Sequence, residues 1–114
     1  MPFNNILNFL TSVGPGDLLD AAYDGDAPIV KDLLARGADS EEKNGYGETP
    51  LIVAVREGHV DIVRLLLEHG ADPSARNNDG KGVLDYAGYH GRAEIGHMLR
   101  SALAQSPKIA TGKI

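Results

Sequence analysis

Four histidines, five serines and a series of aspartates are the residue types here that could support metal binding, nucleophilic attack or acid–base work. A helical metal site of the His-Glu-x-x-His kind sets two imidazoles four residues apart on one face, with a carboxylate between them. His90 and His97 are seven apart and have no such carboxylate. His69 falls in the last turn of an expected helix, where a cation suits the helix dipole. Ser12, Ser40, Ser74, Ser101 and Ser106 lack the Gly-x-Ser-x-Gly elbow that presents a nucleophile on a strand-to-helix turn. Gly80-x-Gly82 opens a helix but follows a turn, whereas dinucleotide binding needs a strand before its glycines. Asp17, Asp20 and Asp24 could pass for paired catalytic carboxylates, but they recur at helical spacing near an exposed end and read as a solvated face. The expectation is no enzyme, no metal and no cofactor.

The elements that carry these residues are built almost without aromatics. Hydrophobic residues make up 42% of the 114 positions and aromatics only 5%, so a core must come from Leu, Ile, Val and Ala. This length fits one domain. There is no cysteine, which excludes disulfides and thiolate zinc sites. The net charge of −5 disfavours nucleic acid, whose phosphates attract clustered Lys and Arg. No apolar run reaches the ~18 residues of a membrane span. The opening MPFNNILNFLTS has no Lys or Arg before its apolar patch, unlike a secretory signal, and the chain is expected in the cytoplasm. Charge is uneven: residues 17–42 hold eight acids and two bases, net −6, while residues 43–114 have net +1.

A shift of 33 residues superposes the chain on itself. Ala21, Ala54 and Ala87 coincide, as do Gly25, Gly58 and Gly91, Leu18, Leu51 and Leu84, and Ile29, Ile62 and Ile95. Gly37-Ala38-Asp39 falls on Gly70-Ala71-Asp72, and Gly47 on Gly80. Each copy reads as two short helices and a long turn. In the middle copy Thr49 is an N-cap and Pro50 occupies the first helical position, where its missing N–H is not needed. Leu51, Ala54 and Val55 have helical spacing and Gly58 stops the helix. From about Val60 to Glu68, a second helix sets Ile62, Val63, Leu66 and Leu67 on one stripe, and Gly70 ends it. The stretch from Ala71 to Gly80 has the Asp, Asn, Pro and Gly of a turn.

The segment Gly47-Glu-Thr-Pro-Leu-Ile-Val-Ala-Val-Arg-Glu-Gly-His59, followed by Val63-Arg-Leu-Leu-Leu-Glu-His-Gly-Ala-Asp72, resembles an ankyrin repeat. The likeness extends roughly from Asp17 to Leu103. It implies an all-α ankyrin-repeat solenoid, with helix pairs joined by hairpin-like turns and the first and last copies acting as caps. Ile52 and Asp85 stand where the family has His, and Gly82-Val83 replaces Thr-Pro in the third copy. That helix start should be looser, with Asp85 reaching back to a free N–H as in a capping box. His59, in the Gly-His of the repeat, is implied to make a structural hydrogen bond. The organisation expected is an amphipathic helix and Gly/Pro linker at 1–16, a repeat domain at 17–104 with copies near 17–43, 44–76 and 77–104, and a flexible tail at 105–114.

The resemblance also implies a protein-binding scaffold, whose contacts come from hairpin tips and from the ends of first helices. Those positions are Tyr23, Asp24, Arg56, Glu57, Tyr89 and His90 on helices, and Tyr46, Glu48, Asp79 and Lys81 on hairpins. Tyr and Arg suit interface hot spots because they bury a large area yet keep a polar tip. The expected partner is another protein, with a basic surface to meet the acidic first copy, and the chain alone is expected to be monomeric. Adaptor, inhibitor, immunity and chaperone-like roles share this mechanism and stay open. The alternative is a structural subunit of a larger assembly. It would be anchored by the tail and by the N-terminal helix, whose Phe3, Ile6, Leu7 and Leu10 form a stripe that either caps the first copy or docks elsewhere.

Overall fold

The computed structural model describes residues 13–14, 16–88 and 93–105. The N-terminal helix expected over 3–10 and residues 106–114 of the expected tail lie outside them. Among the described residues six helices form three pairs: α1 (Asp17–Asp24) and α2 (Ala27–Ala35), α3 (Pro50–Glu57) and α4 (Val60–Glu68), α5 (Val83–Ala87) and α6 (Ala93–Ala104). First helices stack on first helices, α1 on α3 on α5, and second helices stack as α2, α4 and α6. Among the described residues the only β-type pairing is an isolated antiparallel bridge between Arg76 and Gly82.

The helix boundaries follow local chemistry. Thr49 Oγ1 accepts from the Ile52 N–H at 3.3 Å, and Pro50 follows it at the first helical position. Asp26 does the same for α2, accepting from Ile29 N–H at 3.3 Å. Gly25 and Gly58 close α1 and α3 with φ of +81° and +79°, a region that costs a residue with a Cβ about 1–2 kcal/mol. The third copy has no side chain at Gly82 to cap with. Asp85 Oδ2 instead accepts from the Gly82 N–H at 2.7 Å, one half of a capping box. α5 nevertheless starts in register with α1 and α3, each 33 residues after the last.

The core runs through the stack as one cluster of aliphatic side chains: Leu18, Val30, Leu51, Val55, Ile62, Leu66, Val83, Ile95 and Leu99 are fully buried. Each such side chain contributes about 1.5–3 kcal/mol by leaving water. Register does not guarantee burial, however. Ile62 and Ile95 are buried, but Ile29, at the same place in the first copy, is 48% exposed. Leu18 and Leu51 are buried, but Leu84 in the third copy is 44% exposed. These positions face a neighbouring copy, and among the described residues no copy precedes Ile29 or follows Leu84.

A polar link ties adjacent copies. The His59 ring donates from Nε2 to the Tyr23 carbonyl at 3.1 Å, the structural bond implied for that histidine. It lies so close under Gly25 that a Cβ there would sit 2.7 Å from the ring carbon Cε1.

Candidate partner-binding groove

The first hairpin is organised by Asn44. Its Oδ1 accepts from the N–H groups of Tyr46 (2.9 Å) and Glu48 (3.0 Å), an Asx turn that folds the chain back on itself. Gly47 completes the turn with φ +78° and donates its N–H to the Asn44 carbonyl at 3.0 Å. The Asn44 amide Nδ2 then donates to Glu48 Oε1 at 2.9 Å. Glu48 Oε2 receives Arg56 Nη1 from the last turn of α3, and Arg56 Nε reaches Glu57 Oε2 at 3.1 Å.

This chain of bonds revises the place expected for Glu48. It does not stand out from the hairpin; it is 4% exposed and turned inward on Arg56 and Asn44. Burial alone would raise its carboxyl pKa, but the hydrogen bonds from Arg56 and Asn44 and the Arg56 charge outweigh burial and hold it below the usual carboxylate value. The Arg56 guanidinium shifts upward in turn, chiefly through its bond to Glu48.

Between this wall and α1 lies an open groove of about 700 Å³. Leu19 and Val53 form its floor, Asp20 and Tyr23 line it from α1, and Glu42, Lys43 and Tyr46 line it from the connecting segment. Tyr23 is 56% and Tyr46 74% exposed, so two aromatic side chains stand at its edges. Both have fixed backbones: the Tyr23 carbonyl accepts from His59, and the Tyr46 carbonyl accepts from the Asn78 N–H of the next hairpin at 2.9 Å. Glu42 accepts from the Gly16 N–H through Oε2, closing the groove beside the start of α1.

Of the residues expected to touch a partner, the structure gathers Tyr23, Tyr46, Glu48 and Arg56 around this groove. Asp24 is exposed at the end of α1, and Glu57 is half-buried against Arg56. Asp79 and Lys81 are exposed on the second hairpin, one copy away. Tyr89 and His90 lie outside the described residues. Asp20, Glu42, Lys43 and Asn44 line the groove without having been singled out as contacts. Asn44 had a signal: Asn77 recurs 33 residues on, and Gly47 and Gly80 follow each Asn at the same distance.

A family model for ankyrin repeats, described as three copies, matches residues 18–109. The chain belongs to the ankyrin-repeat family. Ankyrin repeats are generally protein–protein interaction modules and typically not enzymes. No curated protein matches this ankyrin-repeat chain. Among the described residues no cluster of three or more His, Cys, Asp or Glu could hold a metal ion, and no helix is long and apolar enough to cross a membrane.

Proposed function

We propose that this ankyrin-repeat chain is a non-enzymatic binding module that grips a partner protein at the groove between α1, α3 and the first hairpin. The observation that carries this reading is the pair of exposed tyrosines, Tyr23 and Tyr46, whose backbones are held by hydrogen bonds from neighbouring copies. With the backbone already held, a large apolar ring with a polar tip has only its two side-chain torsions to order on binding. Arg56 stands behind them, with Asp24 and Glu57 near the row. Tyr89 and His90 continue it in sequence register, and Asp79 and Lys81 extend the contact to the second hairpin. The domain is taken as residues 17–104 in three copies, monomeric by itself and cytoplasmic.

Baits test this directly. Wild type, Tyr23→Ala with Tyr46→Ala, and Arg64→Ala with Glu68→Ala would be compared for capture from the native cell, followed by titration against the captured protein. Arg64 pairs with Asp61 and Glu94 on the exposed side of the second helices, away from the groove. Losing one hot-spot tyrosine should cost about 2 kcal/mol, some thirtyfold in affinity, with the Arg64/Glu68 variant unaffected. The opposite pattern would move the contact to the second helices or the terminal segments.

A further inference from the structure

We propose that the groove between Tyr23 and Tyr46 receives an arginine side chain from an extended segment of the partner. This rests on the binding-groove reading above and names what that groove selects. The charges left free around the groove decide what it can take. Arg56 is taken up by Glu48 and Glu57, so this cation does not offer itself to an incoming anion. Glu48 is spent on Arg56 and Asn44. The Asp20 carboxylate is exposed and makes no hydrogen bond or ion pair among the described residues. Glu42 gives one oxygen to the Gly16 N–H and keeps the other. Three carboxylates and two cations line the groove, and the surrounding stretch, residues 17–42, carries net −6.

The groove thus has an apolar floor in Leu19 and Val53, aromatic edges in Tyr23 and Tyr46, and free carboxylate oxygens beside Tyr23 on α1. That combination matches a guanidinium. Its plane stacks on a phenol ring, its aliphatic stem covers the floor, and its fork of N–H groups takes a carboxylate in bidentate fashion. A lysine ammonium, a more strongly hydrated point charge, gains less from the stacking. The volume is comparable with small-ligand pockets, enough for one side chain with adjoining backbone and too little for a folded element. Lys43 is the cation that opposes this assignment, and it supplies a control.

The test uses the full chain and capped five-residue peptides, Gly-Gly-Xaa-Gly-Gly, with Arg, citrulline, Lys or Glu at the centre, titrated by NMR into the millimolar range. The Arg peptide should shift the signals of Tyr23, Tyr46 and Asp20. Citrulline, which keeps the shape and loses the charge, should bind about threefold more weakly, as should Arg to Asp20→Asn or to Tyr23→Leu, the losses expected of an ion pair and a cation–π contact in an open groove. Lys43→Gln should bind Arg as well or better. Equal binding of citrulline and Arg, preference for the Glu peptide, or no shift at Tyr23 and Tyr46 with any peptide would each overturn the proposal. If the peptides fail while tyrosine truncation still abolishes partner capture, the arginine assignment falls and the binding groove stands. If both fail, the groove is not the contact.

Discussion

The two hairpins share a backbone and differ in what their side chains do with it. Asn77 repeats the part of Asn44, with Oδ1 accepting from Asp79 N–H at 2.9 Å and Lys81 N–H at 3.0 Å, and Gly80 closes the turn at φ +79° as Gly47 does at +78°. The remaining amide group is used differently. Asn44 Nδ2 goes to Glu48 and through it to Arg56, while Asn77 Nδ2 donates to the Tyr86 hydroxyl at 2.8 Å. Lys81 replaces Glu48 and is exposed; Tyr86 replaces Val53 and brings its own oxygen into the buried space. One device thus stabilises the turn in two ways, by a charged relay at the first hairpin and by a buried neutral pair at the second. The first arrangement lies beside the open groove and holds its wall.

Substitutions at the paired positions separate what the turn needs from what its surroundings add. The largest effect is expected at Gly47, and Gly80 is the reference for it. Gly80→Ala meets nothing within 4 Å and should lose only the left-handed backbone preference, about 1–2 kcal/mol in urea denaturation. Gly47→Ala adds a clash, because its Cβ would sit 2.9 Å from the Asn78 backbone nitrogen and closer still to that residue's side-chain oxygen. It should cost clearly more than Gly80→Ala, and equal losses would mean that the two hairpins are not pressed together. Next, Tyr86→Phe leaves the buried Asn77 amide without its partner and should cost about 1–3 kcal/mol. Below that, Thr49→Ala removes the cap of α3 for about 0.5–2 kcal/mol, whereas the third copy, with Gly82 at that place, has no such group to lose.

The smallest effect is a pH dependence confined to the first hairpin. The Glu48 carboxyl is held below its ordinary value in the folded chain. Its contribution is therefore complete above the unfolded carboxylate pKa of about 4.3 and is lost as pH falls through the lower folded value. Glu48→Gln should flatten that part of the acid limb of a stability–pH curve, while Tyr86→Phe should leave its slope unchanged. An unaltered slope in Glu48→Gln would show that the relay to Arg56 contributes nothing there.

The helical scaffold was legible because its determinants are local. Thr49-Pro50, the glycines after α1 and α3, and the stripe of Ile62, Val63 and Leu66 each act within a few residues of themselves. Asp85 was read correctly for the same reason, since its target is the N–H three residues before it. Glu48 was misplaced because its direction is set by Arg56, eight residues on, where a guanidinium and an amide together outweigh the cost of burial. Asp20 read as a solvated face; its membership of a groove depends on the segment 42–46 folding back beside α1. The periodicity aligned Leu84 with Leu18 and Ile29 with Ile62, but burial needs a neighbour, and alignment alone does not supply one.

The half-open Ile29 and Leu84 have a consequence for how such a molecule can change length. Among the described residues each is the unfilled half of a contact made in full elsewhere in the stack, at Ile62 and Ile95 on one side and at Leu18 and Leu51 on the other. A duplicate of residues 44–76 spliced in after Arg76 would keep the present contact with the third copy and add one junction between two middle copies, where Leu51 and Ile62 of each have a partner face to cover them. The chain could therefore grow by whole copies through a junction that repeats the same register of aliphatic side chains. Stability would rise with each addition, because every inserted copy brings one more nearest-neighbour contact while the two terminal faces stay as they are.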